Sequence, residues 1–200
     1  MLDVPAVTTL GITGGIGMGK SATAELLARR GVPIIDTDLL ARDLVQPGEP
    51  ALSEITAAFG HHFLDEAGHL RRGELARIVF TDPAARQKLE TILHPRIRQV
   101  WLSQIESWKG QGKLLAVVVI PLLFETGAEK ELDATLCVAC SSQTQHNRLQ
   151  SRGWSIDQIN QRITAQLPIQ EKISRADFLL WNEATLDVLS AQLDLVLKRF

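Results

Sequence analysis

The sequence has no excess of positive charge, no long apolar run and no second pair of cysteines, and each absence removes a class of function. Its 200 residues carry 21 Lys and Arg against 23 Asp and Glu, a formal net charge of −2. Binders of nucleic acid show a basic excess, so no polyanion partner is expected, and any positive surface must be local and suited to a small phosphorylated ligand. The longest apolar run, Leu114 to Phe124, is too short to span a bilayer. No basic segment followed by an apolar stretch opens the chain, so no membrane partner is expected either. Cys137 and Cys140 form a C-x-x-C in or at the end of an apolar strand rather than at the start of a helix, and no other cysteine exists to complete a zinc site. Two cysteines without a secretory signal fit a reducing compartment, and the expected location is the cytoplasm. Repeats, low-complexity tracts and Pro/Ser-rich linkers are also missing. The 45% hydrophobic content suffices for the core of a single globular domain.

What the chain does contain is Gly14-Gly15-Ile16-Gly17-Met18-Gly19-Lys20-Ser21, which fits Gly-x-x-x-x-Gly-Lys-Ser/Thr. Its setting fits the mechanism. Val7 to Thr13 reads as a buried strand, and Ser21 to Arg30 carries Ala24, Leu27 and Ala28 at helical spacing, so the glycines join a strand to a helix start. Glycine lets the backbone curl its N–H groups around an anion, and the helix N-terminus adds partial positive charge there. The backbone of Gly15, Ile16, Gly17, Met18, Gly19, Lys20, Ser21 and Ala22 is expected to hold the phosphates of ATP. Lys20 would reach the β- and γ-phosphates and the Ser21 hydroxyl would ligate Mg²⁺.

Further along, Val32 to Ile35 reads as a second strand ending in Asp36-Thr37-Asp38, with a helix from Leu39 to Val45. From Pro50 to Gly112 amphipathic helical patterning takes over, in Leu52 to Phe59, Gly73 to Phe80 and Ala84 to Lys109. The last of these is expected to break at His94-Pro95, because the residue before proline is biased away from α geometry. Strands are expected at Leu114 to Ile120, Thr135 to Ala139 and Phe178 to Trp181, and a closing helix at Leu186 to Leu197. Strands alternating with helices and led by a phosphate loop predict an α/β fold, a parallel sheet of about five strands flanked by helices. Between the fourth and fifth strands, residues 142–175 hold Arg148, Arg152, Arg162, Lys172 and Arg175 against only Asp157 and Glu171. Beside a phosphate loop, such a segment suits a lid whose guanidinium groups stabilise transferred charge while water is excluded.

A kinase needs a carboxylate to orient the acceptor hydroxyl and take its proton. Ligands of open α/β sheets bind beyond the carboxyl ends of the strands, which makes Asp36 the best candidate. Asp38 reads equally as a helix cap or a ligand contact. Glu125, after the third strand, could act through the metal's water shell or belong to an acidic solvated loop. No Asn-Lys-x-Asp guanine-reading motif and no Leu-Ser-Gly-Gly-Gln stretch is present. The third strand ends in Pro121 rather than aspartate, so a small-molecule kinase is what remains.

The chain resembles the dephospho-CoA kinase family nearly end to end. The resemblance is carried by Gly11 to Gly17 with Lys20-Ser21, Asp36-Thr37-Asp38 with Ala41-Arg42, Arg72 with Leu75-Ala76, His94-Pro95, Pro121-Leu122-Leu123-Phe124-Glu125, Arg148 with Arg152, and Arg162, Gln166, Lys172 and Asn182. It implies transfer of the ATP γ-phosphoryl group to the ribose 3′-hydroxyl of dephospho-coenzyme A, the last step of coenzyme A synthesis, with Asp36 as base and Lys20 and Arg148 in the catalytic set. It further implies that Arg152 and Asn182 contact the nucleotide, and that Asp38, Arg72, His94 and Gln166 contact the acceptor. By the same match residues 37–111 form a helical acceptor-binding insertion, 142–175 the lid, and 1–36, 112–141 and 176–200 the core of one domain, expected to be a monomer. Rival readings are another small-metabolite kinase of nucleoside monophosphate kinase type, or a regulatory module that binds nucleotide without turnover. Met18 stands where the family usually has serine, Ala22 where it commonly has threonine, and Arg71 where it often has aspartate.

Overall fold

The computed structural model describes residues 7–200, so the first six residues of the expected core lie outside the described residues. In chain order the elements are β1 (Thr8–Thr13), α1 (Lys20–Arg29), β2 (Ile34–Asp36), α2 (Thr37–Asp43), α3 (Pro50–Phe59), α4 (Arg72–Thr81), α5 (Pro83–Gly110), β3 (Leu115–Val119), β4 (Ala134–Ala139), α6 (Ser142–Gln150), α7 (Ile156–Thr164), α8 (Ile169–Arg175), β5 (Phe178–Trp181) and α9 (Leu186–Leu197). The chain divides into two compact units. One runs up to Asp36 and resumes over Ile105–Phe200, and the other is Thr37–Gln104.

The first unit is built on a five-stranded sheet of order β2-β3-β1-β4-β5, parallel throughout. β3 is apolar along its whole length and buried from Ala116 to Val119, as expected of a strand covered on both faces. Leu10, Ile12, Val117, Leu136, Val138 and Leu180 from four strands pack with Leu27 of α1 and with Leu189 and Leu193 of α9. Register is pinned by carboxylates as well as by apolar fit. Asp133 accepts from the backbone N–H and hydroxyl of Thr9, each at 2.7 Å, and Asp177 does the same for Thr135, at 2.8 and 2.7 Å. Each aspartate lies just before one strand and grips a threonine in its neighbour, so a one-residue slip would leave two donors unsatisfied at each pin.

The second unit has its own core, in which Val45, Leu52, Ile55, Phe63 and Leu75 are buried with Leu89, Ile92 and Leu93 of α5 against them. Here the expected break at His94-Pro95 is corrected: α5 continues as one helix from Pro83 to Gly110 with Pro95 inside it. Proline removes one i→i−4 hydrogen bond and crowds the carbonyl of Thr91, at a cost of about 3 kcal/mol. The helix absorbs that cost because it buries apolar residues on both sides of the proline, Ile92 and Leu93 before it and Trp101 and Ile105 after it. Pro95 itself is exposed, so its ring displaces no core side chain. Pro95→Ala should therefore raise stability by about 1–3 kcal/mol in urea unfolding. A lowered midpoint would mean that the second unit needs the distortion proline imposes.

Candidate active site

The phosphate loop leaves β1 at Thr13 and enters α1 at Lys20 with Gly14, Gly17 and Gly19 at φ of 145°, 76° and 110°. Two of these positions exclude any side chain by space as well as by conformation. A Cβ on Gly14 would lie 2.1 Å from the carbonyl oxygen of Val138, and one on Gly19 would lie 2.0 Å from Nδ2 of Asn182. The loop is gripped from several sides. Asn182, buried at the end of β5, donates from Nδ2 to the carbonyl of Met18 at 2.9 Å. Gln145 of α6 donates to the carbonyl of Ile16 at 2.8 Å, and Gln166 accepts from the N–H of the same residue at 3.1 Å. Lys20 Nζ curls over the loop and donates to the carbonyls of Gly14 and Gly15 at 2.8 and 3.0 Å. Ser21 is exposed in the first turn of α1, where helix geometry leaves the leading amides without an intrahelical acceptor.

Met18 is part of the same grip. It is only 2% exposed and packs with Ala139 and Cys140 after β4 and with Ile169 and Ile173 of α8. The serine more usual there would leave this apolar contact empty.

Asp36 ends β2 opposite Val119 of β3, which in turn lies opposite Ile12 of β1. Its carboxylate therefore belongs to the edge from which the loop springs, about 10 Å across two strand spacings from β1. Arg148 of α6 donates from Nη2 to the carbonyl of Asn182 at 3.0 Å, while its buried Nη1 has no hydrogen-bond partner among the described residues. Arg152 is exposed beyond the end of α6. Gln166, implied by resemblance as an acceptor contact, bonds the phosphate loop through the N–H of Ile16.

The other residues implied for the acceptor fall in the second unit. Asp38 lies inside the first turn of α2, two positions past the capping position. Arg72 opens α4 and donates from Nη2 to the carbonyl of Arg42 at 2.7 Å. His94 is half-buried in the middle of α5. This unit carries an open pocket of about 220 Å³ whose lining includes Val45, Ile55, Leu75 and Val79, with Arg42 and Arg72.

The contacts of several important side chains are invisible in the sequence. Lys172 is completely buried, and Glu125, left open above between metal and solvent, is its partner at 2.8 Å. Glu183 accepts from the backbone N–H and hydroxyl of Ser141, at 2.8 and 2.7 Å, and from the Thr144 hydroxyl. These donors, led by the Ser141 N–H, hold its carboxyl down at about 2. Burial pushes the Cys137 thiol up to about 11 against the pull of Lys172 and Lys20. The thiolate needed for metal binding or redox attack is thus suppressed.

Comparison with known proteins agrees along almost the whole chain. The dephospho-CoA kinase family model matches residues 8–187. A relative named dephospho-CoA kinase from Bdellovibrio bacteriovorus is 40% identical, with 94% of each chain covered. A crystal structure from Thermus thermophilus superposes with a TM-score of 0.82 at 35% identity, covering 97% of this chain and 98% of that one. The dephospho-CoA kinase from Campylobacter jejuni superposes with a TM-score of 0.71 at 26% identity over 96% of each chain.

Two outcomes are expected from this geometry. Met18→Ser empties a packed site and should cost about 2–4 kcal/mol in urea unfolding, whereas an unchanged midpoint would mean that the contact is not formed in solution. Glu183 ionises more easily folded than unfolded, so its contribution is fully present above pH 4.5 and is lost as pH falls toward 2. The thermal midpoint should fall less between pH 4.5 and 2 in Glu183→Gln than in the parent, by an amount reduced through solvent screening of this exposed group. Parallel curves would remove Glu183 from the acid response.

Proposed function

We propose, from the premise that the chain belongs to the dephospho-CoA kinase family, that it transfers the γ-phosphoryl group of ATP to the ribose 3′-hydroxyl of dephospho-coenzyme A, giving coenzyme A and ADP. The observation that carries this reading to mechanism is the phosphate loop, held open from outside with an ammonium group already lying across it. In the proposed reaction the loop from Gly15 to Ala22 holds the phosphates through those of its amides that no protein group takes, the Ile16 amide staying with Gln166, and Lys20 exchanges the Gly14 and Gly15 carbonyls for β- and γ-phosphate oxygens. Asp36 orients the 3′-hydroxyl and takes its proton as that oxygen forms a bond to the γ-phosphorus. The bond from the γ-phosphorus to the departing ADP oxygen breaks, and catalysis lies in positioning and charge stabilisation.

Arg148 suits the role of charge stabiliser because its buried Nη1 has no acceptor among the described residues, and a phosphate oxygen would satisfy it. Arg152 and Asn182 complete the nucleotide side in this reading. Mg²⁺ would neutralise phosphate charge when bound, and the exposed hydroxyl of Ser21 in the first turn of α1 is a suitable oxygen ligand. Asp38, Arg72 and His94 are assigned to the acceptor, within an insertion of residues 37–111. Residues 142–175 are assigned as the lid that keeps water from the γ-phosphoryl group. We take the enzyme to act as a monomer in the cytoplasm; among the described residues no helix is long and apolar enough to cross a membrane.

Lys20→Met should fold normally and lose ~100-fold or more in kcat, as expected for one transition-state donor. Asp36→Asn should keep its affinity for ATP, yet slow transfer by roughly 10²–10⁴-fold, the range of a positioned general base. An acceptor lacking the 3′-hydroxyl should bind without being phosphorylated. Near-normal turnover in either folded variant, or phosphorylation of the 3′-deoxy acceptor, would refute the assignment.

A further inference from the structure

Two contacts at the start of the phosphate loop lead, by different routes, to the same buried lysine. Thr13, the last residue of β1, donates from its hydroxyl to the carbonyl of Pro121 at 3.1 Å, and Lys172 Nζ donates to that same carbonyl at 2.7 Å. Lys172 also pairs with Oε1 of Glu125 at 2.8 Å. That oxygen accepts the backbone N–H of Leu167 at 2.9 Å, and the preceding residue, Gln166, takes the N–H of Ile16 at 3.1 Å. Thr13 and Ile16 lie three residues apart in one loop, so the path closes on itself.

A fully buried ammonium group is retained only where its partners hold it well, and here its partners are the end of β3 and the carboxylate that fixes Leu167. Gln145 binds the carbonyl of Ile16 from α6 at 2.8 Å, so both polar groups at this residue are held by residues of the 142–175 segment. The loop must keep its remaining amides directed at an anion although such a conformation costs backbone entropy. A closed circuit of hydrogen bonds supplies that order before the ligand arrives.

We infer that Lys172 is a positioning residue for nucleotide binding, acting through the closed circuit Lys172, Glu125, Leu167–Gln166, Ile16, Thr13 and Pro121 to preorganise the phosphate loop. In this account Glu125 serves the lysine and Leu167 rather than a metal. The inference rests on the kinase reading for its relevance to catalysis, and its test is direct ATP binding, which needs no acceptor.

The test is a double-mutant cycle on ATP affinity, measured by calorimetry, with Lys172→Met, Gln166→Leu and the double variant. Each single change should weaken ATP binding about 5–10-fold. The double change should weaken it no more than the worse single one, because a ring opened once gains nothing from a second cut. ATP binding by folded Lys172→Met at the parent's affinity would mean that the lysine only supports the fold, and would overturn the inference. Effects that multiply in the double variant, or a gain in affinity in any variant, would overturn it equally. If Lys172→Met does not fold by circular dichroism, Glu125→Gln replaces it in the same cycle, with the same outcomes deciding. Parallel assays of coenzyme A formation separate the two claims. Absent product with a non-additive ATP cycle would refute the acceptor and leave the circuit standing, and normal product with an additive cycle would do the reverse.

Discussion

A phosphate loop must leave enough of its backbone amides free for an anion to take, and such a stretch does not hold its shape unaided. In this protein the sheet and the segments around it solve that problem from outside. Asn182 at the end of β5 takes the carbonyl of Met18, Gln145 and Gln166 take both polar groups of Ile16, and Lys20 covers the carbonyls of Gly14 and Gly15. Glycine at 14 and 19 is required because the neighbours that secure the loop, Val138 and Asn182, come too close for a Cβ. Order imposed before binding reduces what the ligand must spend on ordering the loop, and this is the physical basis of a ready anion site.

The same logic explains a lysine with no exposed surface in a segment that is otherwise basic and solvated. Removing one partner of a buried ion pair costs ~3–5 kcal/mol, so Lys172 and Glu125 constrain each other strongly. Their pairing ties α8, Leu167 and the end of β3 into the same scaffold as the loop. The apolar side of the connection is Met18, which packs under the loop against Ile169 and Ile173 of α8. Polar and apolar contacts thus bring the 142–175 segment and the phosphate loop to a common base. Asp133 and Asp177 fix the strand registers on which that base stands.

The parts legible from sequence were those whose signal is local. The loop motif, the Phe178–Trp181 strand and the Leu186–Leu197 helix were read with their observed bounds because pattern and neighbours agree within a few residues. Asp36 was legible because the strand-end rule for open α/β sheets places such a residue without knowledge of its contacts. Pro95 misled, since local propensity opposes a helix there while packing on both sides of the proline maintains it. Lys172 stood out as a basic residue and a point of family resemblance, but its role was not legible, because its partners Pro121 and Glu125 are remote in sequence and lie beyond another strand and two helices. Met18 stands out in the sequence only as a departure from the family's usual serine, and only the packing of α8 shows what its side chain does. Asn182 and the residues proposed for the acceptor came from family resemblance, since a single buried amide carries no pattern of its own.

The central claim is that this ordered loop serves phosphoryl transfer to one acceptor. It is tested most directly by incubating the purified protein with Mg-ATP and a panel of acceptors, dephospho-coenzyme A and nucleoside monophosphates among them, and analysing both products. The account predicts coenzyme A and ADP in equal amounts from dephospho-coenzyme A, with little transfer to the others. Preferred phosphorylation of AMP or another mononucleotide, or ATP binding with no product from any acceptor, would contradict it.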